Sequence, residues 1–264
     1  MKKNFRAFSY FGDIALINFP KETKEKDKKN FANKILKENS SVRTFLEKSD
    51  TFKGRLRKMK TKHLAGIKNK EVLYKENNCT FRFNIDSTYF SPRLSNERKE
   101  LAELIKKNEE VLVMFAGVAP FSIVIAKNSK AKKVYSNEIN REANKYAKQN
   151  IELNKLKDKV ELLPGDVKKV ATKLHEKKQK FDTIVMARPQ LKDSFLEDAF
   201  KLTKKGTKIY YYDFCQEKDK NTIIEKVKDQ AKKAKKKIKI TNTKKAGEIA
   251  PYKMRFRVDF KVLD

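Results

Sequence analysis

The sequence has no tryptophan, and its 264 residues hold only two cysteines, two histidines, six prolines and seven glycines. Cys79 and Cys215 stand apart, outside any Cys-x-x-Cys pair, so neither a zinc site nor a disulfide framework is expected. His63 and His175 lack neighbouring ligand residues, and no metal is expected. No apolar run reaches the roughly 18 residues needed to span a bilayer, so no membrane association is expected. The opening Met1-Lys2-Lys3-Asn4-Phe5-Arg6 has no apolar signal-peptide core, and a cytoplasmic location is expected.

Positive charge is abundant. There are 65 Lys and Arg against 34 Asp and Glu, a formal net charge of +31. Residues 1–110 hold 27 basic and 15 acidic side chains and residues 111–264 hold 38 and 19, so the excess is no detachable tail. A polyanion partner is the natural reading, because Lys and Arg release counterions from phosphates. A lysine-biased composition or adaptation to heat is the plainer alternative. The run Lys232–Lys239 reads as the solvated face of a helix. The hydrophobic fraction of 39% supports a core for one large or two smaller domains.

Two regions read differently. Up to Phe90 the pattern is one of short strands and one helix. Phe8–Phe19 is strand-like and broken at Gly12-Asp13; Lys21–Asn39 is helical; Val42–Leu46, Phe52–Met59 and His63–Ile67 read as strands. Asn77-Asn78 joins two further strands in a hairpin. Ser95-Asn96-Glu97 is expected to cap a linker helix. Beyond it, strands at 111–115, 133–137, 159–163, 182–187 and 207–214 alternate with helices near 121–128, 141–153, 166–177, 193–203 and 219–236. This βα series predicts an α/β, doubly wound, mostly parallel sheet. A terminal antiparallel hairpin is expected across Ala246-Gly247-Glu248. The expected division is an α+β RNA-binding domain over 1–90, a linker over 91–108 and a cofactor-binding domain over 109–264.

The most informative stretch is Val111 to Asn140. An apolar strand runs into Phe115-Ala116-Gly117-Val118-Ala119-Pro120, a helix follows, and a second strand ends on Glu138-Ile139. One glycine instead of Gly-x-Gly-x-x-Gly disfavours a dinucleotide and suits a nucleoside ligand without phosphate, such as S-adenosylmethionine. Glu138 is placed to accept from the ribose hydroxyls. Gly165-Asp166-Val167 follows the third strand, where a carboxylate can accept from an adenine amino group. Ala187-Arg188-Pro189 ends the fourth strand, a position that lines the ligand crevice of open α/β sheets. Upstream lies Ser91-Pro92-Arg93. A guanidinium beside the carbonyl of a guanine stabilises the negative charge that builds when the neighbouring ring nitrogen loses its proton. Arg93 is the expected group, facing the same cleft as Glu138. No general base is identified; Asp213 and Glu248 are available acids.

These residues resemble the archaeal-eukaryotic family of tRNA guanine-37 N1-methyltransferases over nearly the whole chain. The resemblance runs from Gly12-Asp13-Ile14-Ala15 and Glu71–Asn77 through Tyr89-Phe90-Ser91-Pro92-Arg93 with Glu97-Arg98 to Met114–Phe121 with Glu138-Ile139-Asn140. It implies a class I methyltransferase, Rossmann-like fold using S-adenosylmethionine. It also implies a tRNA partner whose position-37 base enters the cleft, and contact of Arg93 with that base; the protein is expected to act as a monomer.

Three departures from the family pattern stand out. The small N-terminal domain of many archaeal members is not expected here. Val113 and Ala119 replace an acid and a glycine. Ala187-Arg188-Pro189 stands where the family has an Asn-Leu-Pro-type motif. The missing Asn leans toward the archaeal branch that methylates C7 of the tricyclic wyosine precursor 4-demethylwyosine, with guanine N1 as the neighbouring reading. Two alternatives remain. Aminocarboxypropyl transfer goes with Gly at the Arg93 position and Gly-Tyr-Phe in place of Ala119-Pro120-Phe121. The other is a non-catalytic RNA-binding protein on the same scaffold.

Overall fold

A computed structural model describes residues 8–49, 54–187, 193–250 and 252–264. The chain begins with β1 (Phe8–Phe11), β2 (Ile14–Ile17), α1 (Glu25–Glu38), β3 (Thr44–Lys48) and β4 (Thr61–Gly66). These strands form one sheet in the order β1-β2-β3-β4, with β2 and β3 parallel across α1. The helix seals one face through Phe31, whose ring meets Phe19 and Phe45 edge-on at 5.8 and 6.0 Å. Gly12 is required at the β1–β2 turn: φ is +57°, and a Cβ would lie 2.5 Å from the Leu73 carbonyl oxygen.

The hairpin follows as expected, with β5 (Glu71–Glu76) and β6 (Cys79–Asn84) joined by Asn77 and Asn78 at φ +46° and +59°. Cys79, Phe81 and Phe83 turn inward while Thr80, Arg82 and Asn84 alternate outward. A 3-10 turn (Pro92–Leu94) leads into α2 (Ser95–Leu104). Ser95 is therefore the first residue of this helix and not its cap, since the turn already brings the chain in at helical angles.

The remaining elements are β7 (Glu110–Met114), α3 (Pro120–Asn128), β8 (Lys133–Glu138), α4 (Arg141–Leu153), β9 (Val160–Pro164), α5 (Val167–Glu176), β10 (Phe181–Met186), α6 (Leu196–Phe200), β11 (Thr203–Cys215), α7 (Lys220–Lys233), β12 (Ile238–Ala250) and β13 (Lys253–Val262). Their strands make a seven-stranded sheet ordered β12-β13-β11-β10-β7-β8-β9. The five strands from β11 to β9 are parallel, and β13 and β12 extend the sheet antiparallel. The α/β doubly wound expectation is met. The order reverses between β7 and β10, which opens a crevice at their carboxyl ends.

Three local expectations are corrected. The described part of the 52–59 stretch, residues 54–59, is a turn and an isolated bridge, not a strand. The 193–203 helix shrinks to Leu196–Phe200, because Phe195 takes φ +55° and β11 already begins at Thr203. The terminal hairpin turns between Ala250 and Lys253. Ala246-Gly247-Glu248 lies within β12 as a bulge, with Gly247 at φ +111°.

Asparagines of α4 close the open edge of β6. Asn150 accepts from the Arg82 N–H at 2.6 Å and donates to the Arg82 and Val118 carbonyls; Asn154 accepts from the Thr80 N–H at 2.9 Å and donates to its carbonyl. One turn apart on α4, the two side chains mimic a neighbouring strand. Phe81, Phe83 and Phe90 accordingly share one apolar core with Val111, Val113 and Phe121.

The helix α2 is fixed by buried charge. Arg98 grips Glu76 with two bonds of 2.5 and 2.6 Å, both side chains at most 3% exposed, and donates to the Ser91 carbonyl at 3.0 Å. Glu97 accepts from Tyr212 at 2.7 Å and from Arg257. Glu76→Ala leaves the Arg98 charge buried and unpaired. It is expected to cost about 3–5 kcal/mol, read from the midpoint of urea unfolding. Among the described residues no helix is long and apolar enough to cross a membrane, and no three of His, Cys, Asp and Glu gather to hold a metal.

Candidate cofactor and nucleobase site

The crevice at the β7/β10 switch holds a cavity of about 700 Å³, including its open mouth. Its floor is the turn after β7. Phe115, Gly117 and Ala119 have φ of +62°, +59° and +65°, so the chain enters the left-handed region three times in five residues. Neighbours over-determine this turn. The Ala116 N–H donates to the Asn137 carbonyl at 2.8 Å, and the Phe115 ring meets Phe195 at 5.2 Å. Pro120 then starts α3 with its ring-fixed φ. Gly117 takes φ +59°, and a Cβ there would meet the Tyr89 carbonyl oxygen tightly at 3.3 Å.

Glu138 ends β8 against that floor. One carboxylate oxygen accepts from the Gly117 N–H at 2.8 Å, the other from the Asn140 N–H at 2.7 Å. Burial pushes this carboxyl above its usual range, and the backbone donors and the Arg57 charge oppose the shift. The Ile139 backbone N–H also supports the charged form of this carboxylate. Asn137 donates to the carbonyls of Leu163 and Gly165 at 2.8 and 3.1 Å, which sets Asp166 at the opposite wall. Asp166 caps α5 and is bound by Arg55 at 2.6 Å; that hydrogen bond holds its carboxyl below the usual range. Ile139, Ala143, Val167 and Phe195 supply apolar lining between the two acids.

The roof comes from the N-terminal half. Arg57 stacks over the Tyr89 ring at 3.6 Å, and both line the cavity. Burial raises the Tyr89 phenol pKa, but the charges of Arg57 and Arg255, with hydrogen bonds from Ser91 and Arg255, bring it below its ordinary value. The cavity lining thus brings together two carboxylates, Glu138 and Asp166, and two arginines, Arg55 and Arg57.

The sequence-expected residues divide. Phe115, Gly117, Glu138, Ile139, Asp166, Val167 and Ala187 line the cavity. Ala116 and Val118 do not; their side chains are buried in the core. Arg188 and Pro189 lie outside the described residues. Ser91 and Pro92 form the linker turn, with Ser91 holding Arg98 through its carbonyl. Arg93 is exposed and is not among the residues that line this cavity. The 3-10 turn sends Leu94 into the core and Arg93 outward, where its charge, after burial, helps lower the Lys48 pKa. Asp213 is engaged by Tyr211 and Lys226 at 2.9 and 2.6 Å, and Glu248 lies beside Tyr252 in a separate groove. Sequence reasoning missed Arg55 and Arg57, which sit in the stretch misread as a strand, and Tyr89, whose place before Phe90-Ser91-Pro92-Arg93 was its only signal.

A family model described as the TRM5/TYW2 methyltransferase domain matches residues 72–240. The chain is 32% identical to tRNA (guanine(37)-N(1))/4-demethylwyosine(37)-methyltransferase Taw22 of Nanoarchaeum equitans, over 97% of this chain and 100% of that protein. The crystal structure of Trm5b from Pyrococcus abyssi superposes with a TM-score of 0.86 at 31% identity, covering 98% of this chain and 76% of that one. The structure of Methanocaldococcus jannaschii Trm5 in complex with adenosine gives 0.83 at 27% identity, covering 98% and 72%. With a matched region that takes in both walls of the cavity and a relative alike over its full length, this chain belongs to the TRM5/TYW2 methyltransferase family.

Proposed function

We propose that the protein methylates the base at position 37 of tRNA, with S-adenosylmethionine as methyl donor. The observation that carries this reading is the cavity that Glu138, Asp166 and Arg57 line together. The residues present fit the donor: Gly117 leaves room where a Cβ would intrude, and the adenosine complex of the jannaschii relative is in keeping with a nucleoside there. The donor's sulfonium supplies an activated methyl group, so the protein's work is alignment and charge stabilisation. Glu138 orients the ribose. Asp166 accepts from the adenine amino group. The Phe115–Val118 backbone faces the methionine end.

Arg57, rather than Arg93, takes the role of polarising the target base, because it lines the cavity and Arg55, the other arginine in the lining, is bound to Asp166. Arg93, exposed beside Lys48, is assigned to the tRNA backbone. Residues 1–90 serve chiefly as the RNA-binding part and 109–264 as the catalytic part, joined by 91–108. The hairpin β5–β6 is bonded to the catalytic side through Asn150 and Asn154. Action as a monomer, in the cytoplasm and without a metal, completes the proposal.

Ala187 lines the cavity with a methyl group and offers the base edge no side-chain hydrogen bond. This favours C7 of 4-demethylwyosine as the acceptor. Guanine N1 remains a second reading because the Nanoarchaeum relative is named for both bases. Incubation with labelled donor and two tRNAs, one with guanosine at position 37 and one with the tricyclic precursor, followed by nucleoside mass analysis, tests this. Label on the tricyclic base is expected; label on guanosine alone would reverse the preference.

A further inference from the structure

Residues 54–57 touch both halves of the site at once. Arg55 Nη2 lies 2.6 Å from Asp166 Oδ2, while Asp166 Oδ1 accepts from the Lys168 N–H at 3.0 Å. The Leu56 carbonyl accepts from Asn140 Nδ2 at 3.2 Å, and Asn140 also donates to the Ser87 carbonyl and caps α4. Arg57 follows at φ +49° with its guanidinium on the Tyr89 ring. Two residues therefore separate the acid at the nucleoside wall from the cation at the nucleobase rim.

Among the described residues, the Arg57 N–H donates to the Gly54 carbonyl within the turn at 3.2 Å. Leu56 is 38% exposed, and a Cβ on Gly54 would meet nothing within 4 Å. Among the described residues, the ties to Asp166, Asn140 and Tyr89 link the turn to both walls of the cavity.

We propose that Arg55 is a positioning residue that couples the two ligands: bound to Asp166, it sets Arg57 over Tyr89, so cofactor and tRNA base favour the same placement of the turn. The inference rests on the function proposed above. Arg55 is 61% exposed, so the pair is weak in open solvent. A nucleoside seated against Asp166 displaces water from one side of the pair and strengthens it. Linkage then requires that the factor by which cofactor tightens tRNA equals the factor by which tRNA tightens cofactor.

The test uses the full chain, with S-adenosylhomocysteine as a non-reacting probe and a tRNA transcript. Its Kd is measured by calorimetry with and without saturating tRNA. Wild type is expected to show about five-fold tightening by tRNA, the size of a modest coupling between sites. Arg55→Ala is expected to abolish the tightening and to lower kcat more than it raises the KM for cofactor. Arg55→Lys, which keeps the charge, is expected to restore part of both. Unchanged coupling in Arg55→Ala, or no coupling in wild type, overturns the inference while leaving the proposed function standing. Failure of wild type to bind the probe at all overturns the reading of the cavity, and the inference with it.

Discussion

Replacing Glu138 by Gln is expected to weaken S-adenosylmethionine binding about 100-fold, because a charge-assisted hydrogen bond is worth roughly 1.5–3 kcal/mol and every 1.4 kcal/mol is about ten-fold. Glu138 presents only acceptors, and its neighbours are all donors: the N–H groups of Gly117 and Asn140 now, and two ribose hydroxyls in the complex. A glutamine must turn its amide nitrogen toward one of these pairs. Titration calorimetry reads the loss, and an affinity within about three-fold of wild type would remove Glu138 from the ribose site.

Acidification should weaken binding in the same way. Burial raises the Glu138 pKa, so the carboxylate begins to protonate above the ordinary carboxylate range. Affinity falls as pH drops through that raised value. Fold stability moves oppositely: the folded chain holds this proton more tightly than the unfolded chain, so the stability Glu138 contributes is present at low pH and is lost as pH rises through the window. The two trends separate a titrating ligand group from general acid unfolding.

The second large effect is at Arg57. On the guanine reading, removing one preorganised donor from the negative charge that builds as N1 loses its proton costs about 10²–10³ in turnover. Arg57→Ala is therefore expected to lower kcat by at least about 100-fold, with S-adenosylmethionine affinity nearly intact, since the nucleoside wall is Glu138 and Asp166. Arg93→Ala is expected to act on the KM for tRNA and to leave kcat close to wild type, because Arg93 stands in solvent on the linker turn. Single-turnover methyl transfer at saturating tRNA distinguishes them. A kcat collapse in Arg93→Ala with a normal Arg57→Ala would return the role to the linker.

The contrast between these arginines shows what could be read from the chain. The seven-stranded sheet was legible because Val111–Met114 and Ile184–Met186 are short apolar runs set among helical patterns, as buried parallel strands are. Glu138 and Asp166 were legible because their place after a strand is set locally. The Asn77-Asn78 turn was legible for the same reason. The roof was not. Arg55 and Arg57 reach the cavity only when the N-terminal half packs over the catalytic part, and the reading of Phe52–Met59 as a strand had little local support, since Leu56 and Met59, three apart, do not share a strand face. Arg93 lies beside the right motif in sequence, but the 3-10 turn at Pro92 aims it outward, which no local pattern reveals. Ala246-Gly247-Glu248 has turn chemistry, yet its partner strand continues past it and absorbs it as a bulge.

Chemical rescue puts the assignment of the nucleobase cation to its most direct trial. Arg57→Ala and Arg93→Ala are each assayed for methyl transfer to tRNA with and without added guanidinium ion, below denaturing concentrations. Guanidinium is expected to restore part of the lost rate in Arg57→Ala and to do nothing for Arg93→Ala. Rescue of Arg93→Ala alone, or rescue of neither with Arg57→Ala inactive, would contradict a target base seated under Arg57 and against the Glu138 chamber.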